Sequence, residues 1–153
     1  MKIDLQALAL AGQMIPDAPI EASRSVVIEA PVTMVWQLLI NVSDWSRWYA
    51  YLKNARLNGA FAPGAKLTYG GIIKHRLAIA KVQHHRLVMI YGTLTGYTAI
   101  TRWDIEVITD TQTKVAFTES SAGPLIASLY GRERLGAHLA QWLASLKEEA
   151  ERR

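Results

Sequence analysis

The chain has 153 residues, 50% of them hydrophobic and 20% charged, and its formal net charge is +4. These proportions are typical of one folded globular domain and exclude a disordered chain. Because cysteine is absent, disulfides, thiol nucleophiles and thiolate metal sites are excluded. No apolar run reaches the roughly 18 residues that cross a bilayer, and Asp4 and Gln6 interrupt the only candidate signal sequence. We therefore expect a cytoplasmic protein.

The first segment predicts a short amphipathic helix over residues 1–12. Ile3, Ala7, Leu10 and Met14 fall on one side of it, and the prolines at positions 16 and 19 end the pattern. We interpret residues 1–17 as an N-terminal arm or short helix that docks on the body of the protein or on a second copy. Residues 18–153 then form a single domain.

A strand at 23–30 precedes two short helices that carry tryptophans. Pro31 suits the first turn of a helix, and Val32, Val35, Trp36 and Leu39 follow at helical spacing. The second helix carries Trp45 and Trp48. Rings of this size need extensive burial, so these helices require a large concave partner surface.

Runs with period-two character predict the remaining strands, and turn residues separate them. These runs cover residues 51–58, 66–69, 72–82, 87–93, 97–108 and 113–120. Short connections between consecutive strands indicate an antiparallel meander with one apolar face. The last segment, from Leu125 onwards, has an apolar stripe at helical spacing that includes Arg132 and Gly136. At about 1.5 Å per residue this helix is long enough to cross the whole sheet.

Several short motifs resemble the SRPBCC superfamily, which includes START lipid-transfer domains, polyketide cyclase/dehydrase-like proteins and the birch-pollen-allergen group. In chain order they are Ala30-Pro31 with Val35-Trp36, Trp45-x-x-Trp48, Pro63-Gly64, Thr101-x-Trp103-x-Ile105, Thr113-x-Val115-x-x-x-Glu119 and Trp142-Leu143-x-x-Leu146-Lys147. The resemblance covers the chain from Ala18 onwards. It implies an α+β helix-grip fold, in which a strongly curved antiparallel sheet of about seven strands wraps around a long C-terminal helix.

The resemblance also implies a mainly apolar pocket between the sheet and the long helix, beside the small residue Gly136. Close packing by Trp48, Trp103 and Phe117 is the alternative. The residues expected to contact a ligand are Trp48, Tyr69, His75, Leu77, Ile90, Thr101, Trp103, Phe117, Glu119, Arg132 and Gly136. The expected partner is a small hydrophobic or amphipathic molecule such as a lipid, an isoprenoid, a quinone or a polyketide.

His75 and Glu119 are the catalytic candidates, because a histidine and a glutamate in an apolar cavity can act as acid and base. Cyclases and dehydratases that resemble this family use such an arrangement. The alternative is structural, with His75 hydrogen-bonded in the core and Glu119 paired with Arg132. Arg132 could instead bind a carboxylate or phosphate of the ligand, or pair with Asp104.

The charge distribution suggests a third function. No aspartate or glutamate lies between Trp45 and Trp103, a segment that carries many lysines and arginines. Such a basic outer face could attract a membrane surface, a protein or nucleic acid. The cations are spread singly and are not clustered, which argues against nucleic acid as the partner. His84 and His85 have no third ligand nearby, so no metal site is expected. No Walker loop or dinucleotide fingerprint occurs, and no cofactor is expected. The sequence leaves monomer and homodimer open.

Overall fold

The computed structural model describes residues 3–72, 74–94, 96–123 and 131–153. The strands are β1 Ile20–Ile28, β2 Arg56–Asn58, β3 Lys66–Gly70, β4 Lys74–Gln83, β5 Leu87–Leu94, β6 Tyr97–Thr109 and β7 Gln112–Ala122. The helices are α1 Leu5–Leu10, α2 Val32–Ile40, α3 Trp45–Trp48 and α4 Arg132–Arg152, with a 3₁₀ turn at Val42–Asp44. No helix among these described residues has the length and apolar character needed to span a membrane.

The strands form one seven-stranded antiparallel sheet in the order β1-β7-β6-β5-β4-β3-β2. Strands β2 to β7 make the expected meander, and β1 pairs with the last strand. The register shifts between Ile79 and Lys81 and again between Val107 and Thr109, and such bulges bend and twist a strand. The predicted α+β helix-grip architecture is confirmed.

Strand β2 is shorter than the sequence pattern indicates, because the chain before it turns back onto β3. The backbone N–H of Gly70 donates to the carbonyl of Lys53 at 2.7 Å, and the Asn54 side chain donates to the carbonyl of Gly70 at 3.3 Å. The backbone of Lys53 is therefore tied to the end of β3 and does not extend the sheet.

Helix α4 lies against the inner face of the sheet. Its buried side chains begin at Leu135 and continue through Leu139, Trp142, Leu143 and Leu146. The prediction that Arg132 lies on this inner stripe is wrong, because Arg132 occupies the first turn of α4 and is exposed. The predicted start of the helix, at Leu125, lies outside the described residues.

A buried carboxylate fixes the other end of α4. Glu149 is only 3% exposed, yet it accepts hydrogen bonds from Arg47 at 2.8 Å and from Arg152 at 2.9 Å. Arg47 also binds Asp44 through two nitrogens. A buried charge is tolerated only when it is paired and hydrogen-bonded. This network therefore joins the end of α4 to α3.

The N-terminal arm packs on the outer face of the sheet. Ala9 and Ile15 are buried there in a second apolar cluster with residues of β4, β5 and β6. Arg102 donates to the carbonyl of Gly12 at 2.9 Å. The predicted apolar side of this helix is wrong for Ile3, Ala7 and Leu10, which are all exposed. The helix is only six residues long and turns Leu8 and Ala9 towards the sheet.

Two glycines in contact with neighbouring chain segments allow a test of this packing. A Cβ on Gly92 would lie 2.6 Å from the carbonyl oxygen of Arg76, in the backbone of β4. We expect Gly92→Ala to lower the free energy of unfolding by roughly 1–3 kcal/mol, since backbone cannot move aside. Urea denaturation followed by circular dichroism measures the loss.

Gly136→Ala is the matched control. A Cβ on Gly136 would meet the guanidinium of Arg24, the mobile end of a long side chain. Alanine is favoured over glycine in a helix by up to about 1 kcal/mol, so this variant should lose much less stability. Equal losses for the two variants would contradict the packing described here.

Candidate functional site

A cavity of about 80 Å³ lies between the inner face of the sheet and α4. Most of its wall is apolar or aromatic. The lining residues are Trp45, Leu52, Leu67, Tyr69, Leu77, Ile90, Thr101, Trp103, Phe117, Glu119, His138 and Trp142. Alternating residues of β4, β5, β6 and β7 reach the cavity because every second side chain of a strand points to the same face.

Aromatic rings form the floor of the cavity. Trp142 of α4 stacks on Trp103 of β6 with ring centroids 5.5 Å apart, and it makes an edge contact with Phe117 at 5.0 Å. Trp45 meets Trp103 edge-on at 5.9 Å. Rings in these geometries prefer stacked or T-shaped contacts and resist displacement. This part of the wall is therefore rigid.

Most of the predicted contact residues lie in this wall. Those that do are Tyr69, Leu77, Ile90, Thr101, Trp103, Phe117 and Glu119. Sequence reasoning missed Trp45, Leu52, Leu67, His138 and Trp142. For His138 a usable signal existed, because it lies four residues before Trp142 and so shares its side of the helix.

Four predicted contact residues lie outside the wall. Trp48 packs behind it, against Trp142, with ring centroids 5.5 Å apart. Arg132 is exposed. Gly136 is covered by the guanidinium of Arg24 from β1, so the expected space beside this glycine is filled. His75 contacts the ring of Tyr69 but does not line the cavity.

The polar end of the cavity is formed by Glu119 and Thr101. These residues face each other across β6 and β7, and the Thr101 hydroxyl donates to Glu119 Oε1 at 3.0 Å. Burial raises the pKa of Glu119 to about 7, and the Thr101 hydrogen bond opposes this shift only in part. Glu119 therefore exists in both protonation states near neutral pH.

His138 supplies a second polar group, from α4. Its Nδ1 lies 3.2 Å from the hydroxyl of the buried residue Tyr49. Burial lowers the pKa of His138, so the neutral imidazole is favoured. A neutral imidazole has one donor and one acceptor nitrogen. With Nδ1 next to Tyr49, its Nε2 is the remaining atom that can serve a ligand.

The expected pair of His75 and Glu119 is not assembled in the wall. Burial lowers the pKa of His75, and its Nδ1 is buried without a hydrogen-bond partner among the described residues. The histidine that shares the cavity with Glu119 is His138.

The indole N–H of Trp103 is a buried donor without an acceptor in the described part of the chain. By contrast, the indole N–H of Trp45 lies 3.2 Å from the carbonyl oxygens of both Leu38 and Leu39. An unsatisfied buried donor costs about 1–3 kcal/mol. An acceptor oxygen brought to Trp103 would recover that free energy.

The described residues contain no group of three or more histidine, aspartate or glutamate side chains able to hold a metal ion. His84 and His85 lie in the turn between β4 and β5, with ring centroids 3.7 Å apart. Both rings contact Trp36 edge-on. The pair thus has an aromatic packing partner.

No protein-family model and no curated protein matches the sequence significantly. Solved structures do match. A START superfamily protein from Mycobacterium smegmatis has a TM-score of 0.73 and 12% identity, covering 86% of this chain and 97% of the other. The Zhui aromatase/cyclase from Streptomyces sp. R1128 has a TM-score of 0.68 and 18% identity, with coverages of 87% and 94%.

A hypothetical protein from Helicobacter pylori has a TM-score of 0.72 and 16% identity, covering 89% of this chain and 91% of the other. At these identities the likeness concerns the fold, and one such fold hosts many functions. The chain therefore has the helix-grip fold that these solved structures share.

Proposed function

We propose that this protein binds a small hydrophobic or amphipathic molecule, such as a lipid, an isoprenoid, a quinone or a polyketide, in the cavity between the sheet and α4. The observation that carries the proposal is a mainly aromatic and apolar wall with few polar groups, the Glu119–Thr101 pair on the sheet and His138 on α4. Apolar walls with a few convergent polar groups are typical of small-molecule sites. The START and aromatase/cyclase names of the structural neighbours agree with it.

The size of the cavity constrains how a ligand enters. At about 80 Å³ it is smaller than the ~150 Å³ cavity that accepts benzene in an engineered protein. A larger ligand must therefore displace side chains. Leu52 and the half-buried Phe61 are the candidates, since they lie on the segments flanking the three-residue edge strand β2.

The polar groups favour a ligand with an acceptor oxygen. Trp103 lines the cavity, and its unpartnered indole N–H becomes a donor for such an oxygen once side chains move aside to admit the ligand. Protonated Glu119 is a second donor. A pure hydrocarbon would leave the indole N–H without an acceptor and Glu119 with only its hydrogen bond from Thr101, and an unsatisfied buried donor costs about 1–3 kcal/mol. Oxygenated apolar molecules should therefore bind better than hydrocarbons of the same shape.

A second candidate function is catalysis of the cyclase or dehydratase type, with Glu119 transferring a proton. The observation in its favour is the raised pKa of Glu119, about 7, because a proton-transfer group works best when its pKa lies near the working pH. His138 would be the partner from the opposite wall.

Ligand binding is tested with paired probes of the same shape, one oxygenated and one hydrocarbon, added to the purified chain. Isothermal titration calorimetry should show the oxygenated molecule binding about tenfold or more tightly. Trp103→Phe should reduce this preference, since phenylalanine has no N–H. Leu77→Trp should block both probes by filling the cavity.

Trp36→Phe is the matched control, because Trp36 is a buried tryptophan on α2 that does not line the cavity. It should bind both probes as the unmodified protein does. If no probe from a broad apolar set binds, or if Leu77→Trp binds normally, the cavity is not the site.

The protonation of Glu119 predicts an unusual pH dependence of stability. Its pKa rises from 4.5 to about 7 on folding, so between these values the folded state keeps a proton that the unfolded state has released. The free energy of unfolding therefore falls as the pH rises through this range, by on the order of 3 kcal/mol from this group alone.

Comparison with Glu119→Gln isolates the contribution of the Glu119 carboxyl group to the free energy of unfolding. Burial lowers the pKa values of His75 and His138, and these groups make stability rise with pH up to about 6.5. They are present in both proteins and cancel in the difference. Urea denaturation at pH 5 and pH 8 should show Glu119→Gln gaining stability relative to the unmodified protein as the pH rises. A constant difference would refute the raised pKa.

Catalysis is tested with the same variant. If Glu119 transfers a proton, Glu119→Gln should lose turnover of a polyketone substrate by at least a hundredfold, while its affinity for the oxygenated probe stays within a few fold. Thr101→Val is the control, since it removes the hydrogen bond to Glu119 but keeps the carboxyl group. Unchanged turnover in Glu119→Gln would leave binding as the function.

A further inference from the structure

Two adjacent loops at one end of the sheet expose apolar side chains to solvent. Ile72, in the turn between β3 and β4, is fully exposed, and Tyr51, in the loop after α3, is 65% exposed. Large apolar side chains in such positions, when they lie together, mark an interaction surface.

Hydrogen bonds hold these loops side by side. The carbonyl of Lys53 accepts from the N–H of Gly70, and the side chain of Asn54 donates to the Gly70 carbonyl. Gly70 in turn pairs with Lys74 across the β3–β4 hairpin. Tyr51, Lys53, Ile72 and Lys74 thus occupy the same end of the molecule. We refer to these four residues as the apolar–basic tip.

The charge around the tip has one sign. Lys53, Lys74 and the neighbouring Arg76 are all exposed, and the chain has no acidic residue between Trp45 and Trp103. Among the described residues, none of these three cations makes an ion pair. The tip is therefore apolar at its apex and positive at its base.

The tip also adjoins the cavity. Leu52, next to Tyr51, lies in the cavity wall, and so does Tyr69, one residue before Gly70. The exposed ring of Tyr51 packs on buried Tyr49 with centroids 5.5 Å apart, and Tyr49 contacts His138 of the wall. A surface that binds the tip would thus lie directly against the segments that must move for a large ligand to enter.

We propose that the apolar–basic tip docks on a lipid bilayer that contains anionic phospholipid. An isoleucine at the apex inserts among the acyl chains, a tyrosine sits at the headgroup level, and the lysines contact the anionic headgroups. The inference is independent of which molecule the cavity binds.

The tip fits a bilayer better than a second copy of the chain. The tip has two exposed apolar side chains and two lysines, with Arg76 beside them. This is a small patch, whereas a stable dimer buries about 800 Å² on each partner. Like charges would also face each other across a two-fold axis. A bilayer with anionic headgroups supplies both the apolar interior and the opposite charge.

The test is co-flotation of the full chain with vesicles. Vesicles of phosphatidylcholine with phosphatidylglycerol should carry the protein at about 0.1 M ionic strength, and vesicles of phosphatidylcholine alone should carry much less. Raising the ionic strength to about 1 M, which shortens the screening length from about 10 Å to 3 Å, should release most of it.

Variants locate the contact. Ile72→Glu should weaken vesicle binding at least tenfold, and Lys53→Ala with Lys74→Ala should weaken it about fivefold for each lysine. Val107→Glu is the matched control, because Val107 is 54% exposed at the opposite end of β6. It should bind vesicles like the unmodified protein.

The proposal is overturned if the unmodified chain does not float with anionic vesicles, or if Ile72→Glu binds as well as Val107→Glu. It is also overturned if sedimentation shows a dimer that Ile72→Glu dissociates, since the tip would then be a contact between copies. Calorimetry of Ile72→Glu with the oxygenated probe, without vesicles, should give unchanged affinity. Loss of membrane binding can thus be told apart from failure of the cavity to bind a ligand.

Discussion

The stack of Trp142 on Trp103 is the contact on which the arrangement of the structure depends. It joins α4 to the centre of the sheet, and the rings of Trp45 and Phe117 meet the same pair from either side. These contacts are stacked or T-shaped, the arrangements that aromatic rings prefer. The cavity lies next to this cluster and is bounded by it.

Burying a carboxyl group beside aromatic rings has a cost that the local structure offsets only in part. Thr101 provides one hydrogen bond to Glu119, whereas Glu149 at the other end of α4 is met by several arginines. The two glutamates, half-buried Glu119 and buried Glu149, therefore respond in opposite ways. Burial raises the pKa of Glu119. At Glu149 burial acts in the same direction, but hydrogen bonds and charges from the arginines outweigh it and lower the pKa. Glu119 can therefore change its protonation state near neutral pH, whereas Glu149 stays ionised.

Much of the fold was predictable because strand alternation is a local property. The period of two correctly placed Leu77, Thr101, Trp103 and Glu119 on the inner face.

The predictions that failed depended on contacts between distant segments of the chain. Nothing near Gly136 in the sequence indicates that Arg24 would cover it, and the choice between His75 and His138 depends on how far along the sheet α4 lies. Helix periodicity also included Arg132 in the buried stripe, since a period cannot show where the sheet beneath a helix ends.

The position of β1 has a consequence for how the chain is assembled. It pairs with β7, and the hydroxyl groups of Ser23 and Thr118, which are 95 residues apart in the sequence, form a hydrogen bond between the two strands. Loop closure of that length is entropically costly and slow. During synthesis on the ribosome, β1 must remain without its neighbour until β7 has emerged, with the alternating apolar side chains of an unpaired strand open to solvent. The sheet can therefore be completed only after residues 20–122 have all been synthesised, and β1 keeps an unpaired edge until then.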